Sequence, residues 1–363
     1  MAAGAVNRGT NHLARRRQSV TIKHVAADAG VSLQTVSRVI NDEPNVRPAM
    51  RTRVLGSIEK LGYVPSIAAQ RMSGSRSYLI VALNDRERTL DDWRRREGKD
   101  WVDQMLLGGM LACAEHGYRM VIELVDTHAD HVERELNAAL TALQPDGVIL
   151  TPPHGENPRI TGFLAERQIP FVRIGAKDAG PGFAIDMGDE EAAREATHHL
   201  AHMGHRRIGF IGGSPEYRLS RWREDGWRQG MNQFRLSARS LYAPGDFSYE
   251  SGLQAARALL SVAHPPTAII AGNDQMALAA LQVARDMGLD VPGDLSLVSF
   301  DNSPVVRLTQ PPLTAIDQPI ADTAALAARL LIAARRDPEQ PATHTVPARL
   351  IPRASTAPPP PGR

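Results

Sequence analysis

Hydrophobic positions recur along this chain in two rhythms, and the change from one to the other divides it. Over residues 20–63 the spacing is helical. Ile22, Val25, Ala26 and Ala29 repeat at i, i+3, i+4 and i+7, one apolar face of a short helix. Gly30 ends it, since glycine takes left-handed dihedrals without the penalty of a Cβ. Ser32 can cap the next helix, in which Val36, Val39 and Ile40 turn inward and Leu33, Gln34, Ser37 and Arg38 are left outward. Pro48, a residue favoured at the first helical position, opens a third helix with Val54, Ile58 and Leu61 on one face. After a short polar linker at 73–77 (SGSRS), short apolar runs alternate with longer helical ones. Strands are predicted at 78–83, 119–124, 147–151, 171–175, 207–212, 268–272, 296–300 and 313–316. Helices are predicted around 101–116, 130–143, 189–203, 221–236, 249–263, 275–287 and 319–335. Such alternation is the pattern of parallel sheets with crossover helices, here two sheets, one for each half.

The first rhythm, VTIKHVAADAGVSLQTVSRVIND at residues 20–42, has the form of a helix-turn-helix that presents the N-terminal end of its second helix to base edges. It runs on through LGYVPSIAAQRM, and the whole stretch resembles the DNA-binding headpiece and hinge of the LacI/GalR family of transcriptional regulators. HMGHRRIGFIGG, GNDQMALAAL, GDLSLVSFDN and PPLTAIDQP resemble that family's regulatory core. The resemblance covers roughly residues 20–352. It implies an α/β chain: a helix-turn-helix headpiece plus a two-subdomain core like the periplasmic sugar-binding proteins, with parallel sheets around a cleft. The expected organisation is a disordered basic arm at 1–19, the headpiece at 20–63, a hinge helix and linker at 64–76, the core at 77–352 and a disordered, proline-rich tail at 353–363. By the same analogy the chain crosses between subdomains near 174–178, 302–306 and 317–320.

Charge separates the two parts. The net charge is +2, yet residues 1–76 hold 12 Lys/Arg against 4 Asp/Glu, and the rest holds 30 against 36. A basic small domain on an acidic large one suggests that only the first meets a polyanion, and the helix-turn-helix selects duplex DNA over RNA or a membrane surface. Hydrophobic content is 42%, enough for a buried core. No apolar run reaches the roughly 18–20 residues that span a bilayer, and the first twenty residues, with Arg15, Arg16 and Arg17, lack the apolar stretch of a secretory signal. The single cysteine, Cys113, fits a reducing cytoplasm. A cytoplasmic protein is expected.

Candidate DNA contacts are Thr21, Ser32, Leu33, Gln34, Thr35, Ser37, Arg38 and Asn41. Arg38 can bridge the acceptors of guanine and Gln34 the edge of adenine. Met72, where relatives usually carry leucine, falls at the position of the family's minor-groove wedge. Two subunits would read a roughly palindromic operator as a homodimer, and without leucine heptads in the tail a dimer is expected over a tetramer.

Open parallel sheets bind ligands beyond the carboxyl ends of their strands. Asn84, Asp85, Asp126, Ser214, Asn273, Asp274, Asp301, Asn302 and Gln318 follow predicted strands, and carboxylates and amides suit the hydroxyls of a sugar or sugar acid. Trp222 and Phe247 offer flat apolar faces. The resemblance adds Arg223, Asn273 and Asp301 as effector contacts, Phe247 and Gln318 as pocket lining, and an acidic pocket residue at Asp189, with Glu191 as the alternative register. The segment NDRERTLDDWRRREGKDW departs from the family pattern. It reads as a solvated loop, or as a cover over the cleft with Arg94, Arg95 and Arg96 near an anionic ligand.

Other chemistry finds little support. His198, His199, His202 and His205 lack a neighbouring HExxH glutamate, and Asp126, His128, Asp130 and His131 read as a polar loop. GFIGGS lacks the GxGxxG spacing, and there is no GxSxG elbow or GxxxxGK[ST] loop. No cofactor, no metal and no enzymatic activity are expected. The expected function is a ligand-responsive, DNA-binding regulator, most simply a repressor. The alternatives are a solute-binding protein, against which the basic headpiece speaks, and a regulator answering to a protein co-regulator.

Overall fold

The structure is a computed structural model that describes residues 20–40, 43–63, 76–96, 98, 100–128, 130–334 and 341–361. Contacts divide the chain into two units, residues 1–77 and 78–363.

In the first unit α1 (Ile22–Ala29), α2 (Leu33–Ile40) and α3 (Pro48–Leu61) form a three-helix cluster. Val25, Ala26, Ala29, Val36, Val39 and Val54 are its buried centre, with Ile58 and Leu61 half-buried around them. Gly30 sits at φ +60°, and its N–H closes the last turn of α1. The Arg53 guanidinium of α3 donates to the carbonyls of Ala29 and Gly30, the latter at 3.2 Å. Arg53 therefore satisfies carbonyls that the end of α1 leaves without helical partners, and so fixes the turn before α2.

The second unit holds two six-stranded sheets. The first has the order β11-β5-β4-β3-β1-β2, with β1 (Leu79–Asp85), β2 (Arg119–Val125), β3 (Gly147–Leu150), β4 (Phe171–Ile174), β5 (Phe183–Asp186) and β11 (Thr343–Thr345) all parallel. The second has the order β12-β10-β9-β8-β6-β7. In it β6 (Ile208–Ile211), β7 (Tyr242–Ala243), β8 (Ala268–Ala271), β9 (Ser296–Asp301) and β10 (Thr314–Asp317) are parallel, and β12 (Arg349–Ile351) runs antiparallel to β10. The apolar runs read from the sequence form the buried middle strands, apart from the run at 119–124, which forms the half-buried edge strand β2. Helices α4 (Arg86–Arg95), α5 (Asp100–Glu115), α6 (Val132–Leu143), α7 (Pro158–Glu166) and α12 (Ile320–Ala333) belong to the first subdomain. Helices α8 (Asp189–His202), α9 (Arg218–Gln233), α10 (Tyr249–Leu260) and α11 (Asp274–Asp286) belong to the second.

Strand membership places the crossings between subdomains at 186–189, 317–320 and 345–349. The expected crossings near 174–178 and 302–306 are corrected. After β4 the chain returns to the same sheet as β5, and residues 302–306 join β9 to β10 within the second sheet. Both misplacements come from short strands. β5 (FAID) was not read as a strand, and β11 and β12 have three residues each.

The helix after each of the first two crossings is pressed hard against a neighbour in its own subdomain. A Cβ at Gly108 of α5 would lie 1.8 Å from the Ala321 carbonyl oxygen in the first turn of α12. A Cβ at Gly226 of α9 would lie 2.0 Å from the Glu190 carbonyl oxygen in the first turn of α8.

The tail expected to be disordered is built into the second subdomain as far as residue 361. Ser355 is fully buried. The Thr314 N–H donates to its hydroxyl (2.8 Å), the hydroxyl donates to Leu297 O (2.6 Å), and Leu297 N–H donates to Ser355 O (2.9 Å). His205 bonds Thr267 through Nδ1 (2.8 Å) and Ala357 O through Nε2 (2.9 Å), and His199 Nε2 lies 3.1 Å from Thr356 Oγ1. Two of the clustered histidines thus hold the tail. Its proline content favours an extended strip without internal hydrogen bonds, which reads as low complexity and here lies along the fold.

Ser355→Ala removes the acceptor of a buried backbone N–H. An unsatisfied buried donor costs about 1–3 kcal/mol, and urea unfolding of the variant should show a loss of that size. An unchanged midpoint would mean that the tail is not anchored through Ser355.

Candidate DNA-reading surface and ligand cleft

On α2 the side chains of Leu33, Gln34 and Arg38 are exposed, and those of Thr35 and Ser37 are half-buried. Ser32 caps this helix: Thr35 N–H donates to its hydroxyl (3.1 Å), and the two hydroxyls lie 2.9 Å apart. Thr21 precedes α1 and donates its N–H to His24 Nδ1 (3.0 Å). The Arg38 guanidinium stands 3.6 Å from the Glu43 carboxylate, with about half of each side chain exposed. Such an exposed pair contributes little, so Arg38 is free to exchange it for another acceptor. Asn41 and Met72 lie outside the described residues.

The second unit encloses a cavity of about 390 Å³ where the carboxyl ends of both sheets meet. In each sheet this is the point at which strand order reverses, between β1 and β3 and between β6 and β8. Asn84, Arg223, Phe247, Asn273, Asp301 and Gln318 line the cavity. So do Asp85, Asp274 and Asn302 from the strand-end reading, whereas Asp126 and Ser214 do not.

Asp189 lies behind the lining and is fully buried. Arg223 Nε donates to Asp189 Oδ1 at 2.8 Å, and the Gln318 amide nitrogen donates to the same oxygen at 2.8 Å. A second guanidinium nitrogen of Arg223 donates to Gly272 O, and the guanidinium packs 4.4 Å from the Phe300 ring centroid. Asp189 Oδ2 and Gln318 Oε1 are buried without a partner. Glu191, the alternative acidic residue, is exposed and pairs with Arg194.

Asn273 closes the second subdomain's side. Its Oδ1 accepts Met276 N–H (2.9 Å) as the cap of α11, and its Nδ2 donates to Phe247 O (2.8 Å), which holds the Phe247 loop against the strand end. Phe247 meets the Tyr217 ring edge to face at 5.6 Å. Asp301 and Asn302 take φ of +88° and +59°, so the chain leaves β9 through two successive left-handed residues. Strain of this kind gathers at ligand sites. Burial, with Asp301 nearby, pushes the Asp274 carboxyl up to about 7. Burial also lifts Asp301 to about 6, opposed by the Arg223 charge.

The sequence reading needs two corrections here. Trp222 does not line the cavity and instead packs beneath Lys177, whose ammonium lies 4.7 Å from the ring centroid. The tryptophan in the wall is Trp101, at the start of α5. The charged segment after β1 forms α4, capped by Asp85, whose carboxylate accepts Arg88 N–H at 2.8 Å. Its Arg94 and Arg95 pair with Asp91 on the outer face. Arg88 is the residue that reaches inward: it donates to Asp92 (3.2 Å) and, across the cleft, to Asp246 O (2.8 Å). Further polar bridges join the subdomains: Lys177 to Glu190 (2.7 Å), Arg218 to Asp178 (3.5 Å) and His128 to Glu216 (3.6 Å). A helix-period pattern in RERTLDDWRR was hidden by its charge, and Arg88 carried no sequence signal of its own. Among the described residues no group of three or more His, Cys, Asp or Glu side chains is placed to hold a metal ion, and no helix is long and apolar enough to cross a membrane.

A helix-turn-helix in one unit and a two-lobed cleft in the other define a transcription factor with a ligand-binding type of core. Residues 21–66 match the model of bacterial regulatory proteins of the lacI family, and residues 197–356 match the periplasmic binding protein-like domain. Catabolite control protein A of Priestia megaterium is 32% identical over 323 residues, 86% of this chain and 92% of that protein. The chain belongs to the LacI family of bacterial transcriptional regulators. Two solved structures are similar over almost the whole chain. One is a transcriptional regulator CelR–cellobiose complex, with 30% identity, TM-score 0.69, and 93% and 99% of the two chains covered. The other is the lac repressor dimer bound to operator and an anti-inducer, with 25% identity, TM-score 0.73, and 94% and 100% covered.

Asp189→Ala would leave the Arg223 guanidinium buried without its carboxylate. Breaking a buried pair in this way costs about 3–5 kcal/mol, and urea unfolding should register it; a loss under 1 kcal/mol would show that the pair is not structural. The raised carboxyls set a pH dependence. A carboxyl that binds its proton more tightly folded than unfolded contributes stability that is complete below its unfolded value near 3.8 and is lost as pH rises through about 6–7. Asp301→Asn should therefore flatten the fall in unfolding free energy between pH 4 and 7, as followed by urea titrations across that range.

Proposed function

We propose that this regulator binds a palindromic operator as a homodimer, and that a small carbohydrate held in the cleft controls its operator affinity. Most simply it is a repressor, it works in the cytoplasm and it catalyses no reaction. The observation that carries the reading is the lined cavity of about 390 Å³ between the subdomains, with buried Arg223, Asn273 and Gln318 presenting polar atoms beside the rings of Trp101, Tyr217 and Phe247. A ring face for the apolar side of a sugar and side chains that donate and accept for its hydroxyls are the two things such a ligand needs. The similar regulator solved with cellobiose and the lac repressor solved on operator support both halves of this reading.

In this scheme Asn84, Arg223, Phe247, Asn273, Asp301 and Gln318 contact the effector, and Asp189 orients Arg223 and Gln318. The ligand acts only through its preference for one cleft angle over another, and by linkage the operator must shift ligand affinity by the same factor. Replacing Arg223 or Asp301 with alanine should abolish the ligand response and leave ligand-free operator binding in place.

On the DNA side, Leu33, Gln34, Ser37 and Arg38 read bases, and Thr21, Ser32, Thr35 and Asn41 meet the backbone or flank the reading face. Met72 wedges the minor groove. Arg38→Ala should lose about 1–3 kcal/mol of discrimination at one operator position, measured on operators varied base by base. A uniform loss across all sequences would make Arg38 a phosphate contact.

A further inference from the structure

The chemistry of the cleft wall goes beyond its shape. Asp85, Asp92, Asp100, Asp274, Asp301 and Asp317 line the cavity against three guanidinium groups, those of Arg88, Arg223 and Arg307. Two of the three cations already have partners: Arg88 bonds Asp92 and Asp246 O, and Arg223 bonds Asp189 and Gly272 O. Arg307 is exposed at the mouth. Arg353 adds a fourth guanidinium near Asp274 and Asp317, so the carboxyls outnumber the guanidinium groups six to four, a negative bias that low-dielectric walls focus.

The unpartnered polar atoms point the same way. Gln318 must turn its amide nitrogen toward the Asp189 carboxylate, because that carboxylate only accepts. Its Oε1 is left buried and unpartnered, and so is Asp189 Oδ2. Both atoms are acceptors. Acceptors left without donors behind the wall add to its negative potential, which a neutral hydroxyl tolerates and a carboxylate or phosphate does not.

We infer that the cleft takes an uncharged polyhydroxylated ligand and excludes the sugar acids and sugar phosphates built on the same skeleton. The inference rests on the reading of the cleft as a carbohydrate site and narrows it. The raised carboxyls of Asp274 and Asp301 agree with it: burial is the main cause of both shifts, nearby carboxylates add to it, and surroundings that disfavour their charge disfavour a further anion.

The test uses the full chain and a matched panel: glucose, galactose, xylose, cellobiose and maltose, with their C1- or C6-oxidised and phosphorylated derivatives. Thermal shift finds the binders and calorimetry gives the affinities. The expected result is a neutral member that binds at least tenfold more tightly than its anionic counterpart, with the gap shrinking as salt screens the wall. The double variant Asp100→Asn, Asp317→Asn should narrow the gap at least threefold, read as the ratio of the neutral to the anionic member's affinity. An anionic member that binds as tightly as its neutral parent overturns this inference and leaves the carbohydrate site standing. No binding by any member, neutral or anionic, overturns the carbohydrate reading itself and this inference with it.

Discussion

The cleft depends on one buried ion pair. Asp189 and Arg223 are both withdrawn from water, and each is tolerable there only because the other is 2.8 Å away. The pair draws together parts of the chain that are distant in sequence. Asp189 opens α8 just after the first crossing, Arg223 is on α9, Gly272 ends β8, and Gln318 lies in the second crossing. A single carboxylate thus receives hydrogen bonds from a helix that packs the second sheet and from the segment that leaves that sheet. The arginine is held in place from behind, so its exposed edge faces the cavity in one orientation without having to be ordered by a ligand.

Charge divides the work between the two units. The excess of lysine and arginine lies before residue 77, and the excess of carboxylates after it. Phosphate attraction is sequence-blind and long-ranged, so a core that carried it would compete with the headpiece for DNA. The acidic core also supplies the carboxylates of the cleft wall, and the same compositional bias serves repulsion outside and recognition inside.

The sequence made the middle of each sheet legible because continuous runs such as LIVAL and SLVSF are the mark of strands buried on both faces. The headpiece was legible because its apolar spacing, turn glycine and capping serine agree with one another. The cavity residues at strand ends followed from topology. The misses share a cause, which is that tertiary contacts overrode weak local signals. β5, β11 and β12 are short, and their pairing partners lie far away in the chain, so nothing local announced them and two crossings were misplaced. α4 was masked by its charge. The tail was masked by its prolines, although Ser355 binds two strands. Trp101 in the wall and Trp222 outside it could not be told apart by residue type, since only the packing of α5 and α9 decides which ring faces the cavity.

The close approaches at Gly108 and Gly226 have a mechanical meaning. Each fastens the first turn of a helix to its neighbour within about two residues of a crossing, α12 to α5 on one side and α8 to α9 on the other. No side chain at either contact can act as a compressible spacer, and packed interiors transmit strain instead of absorbing it. Any rotation of one lobe on the other must then be taken up in the crossings, at Met187 and Gly188, at Gln318 and Pro319, and in the extended link of Val346 to Ala348. Gly188 already stands in the left-handed region at φ +72°, the kind of backbone that can pivot. The cleft is built like a door on short, stiff leaves: a small torsion at the three crossings becomes a large displacement at the far edges of the lobes.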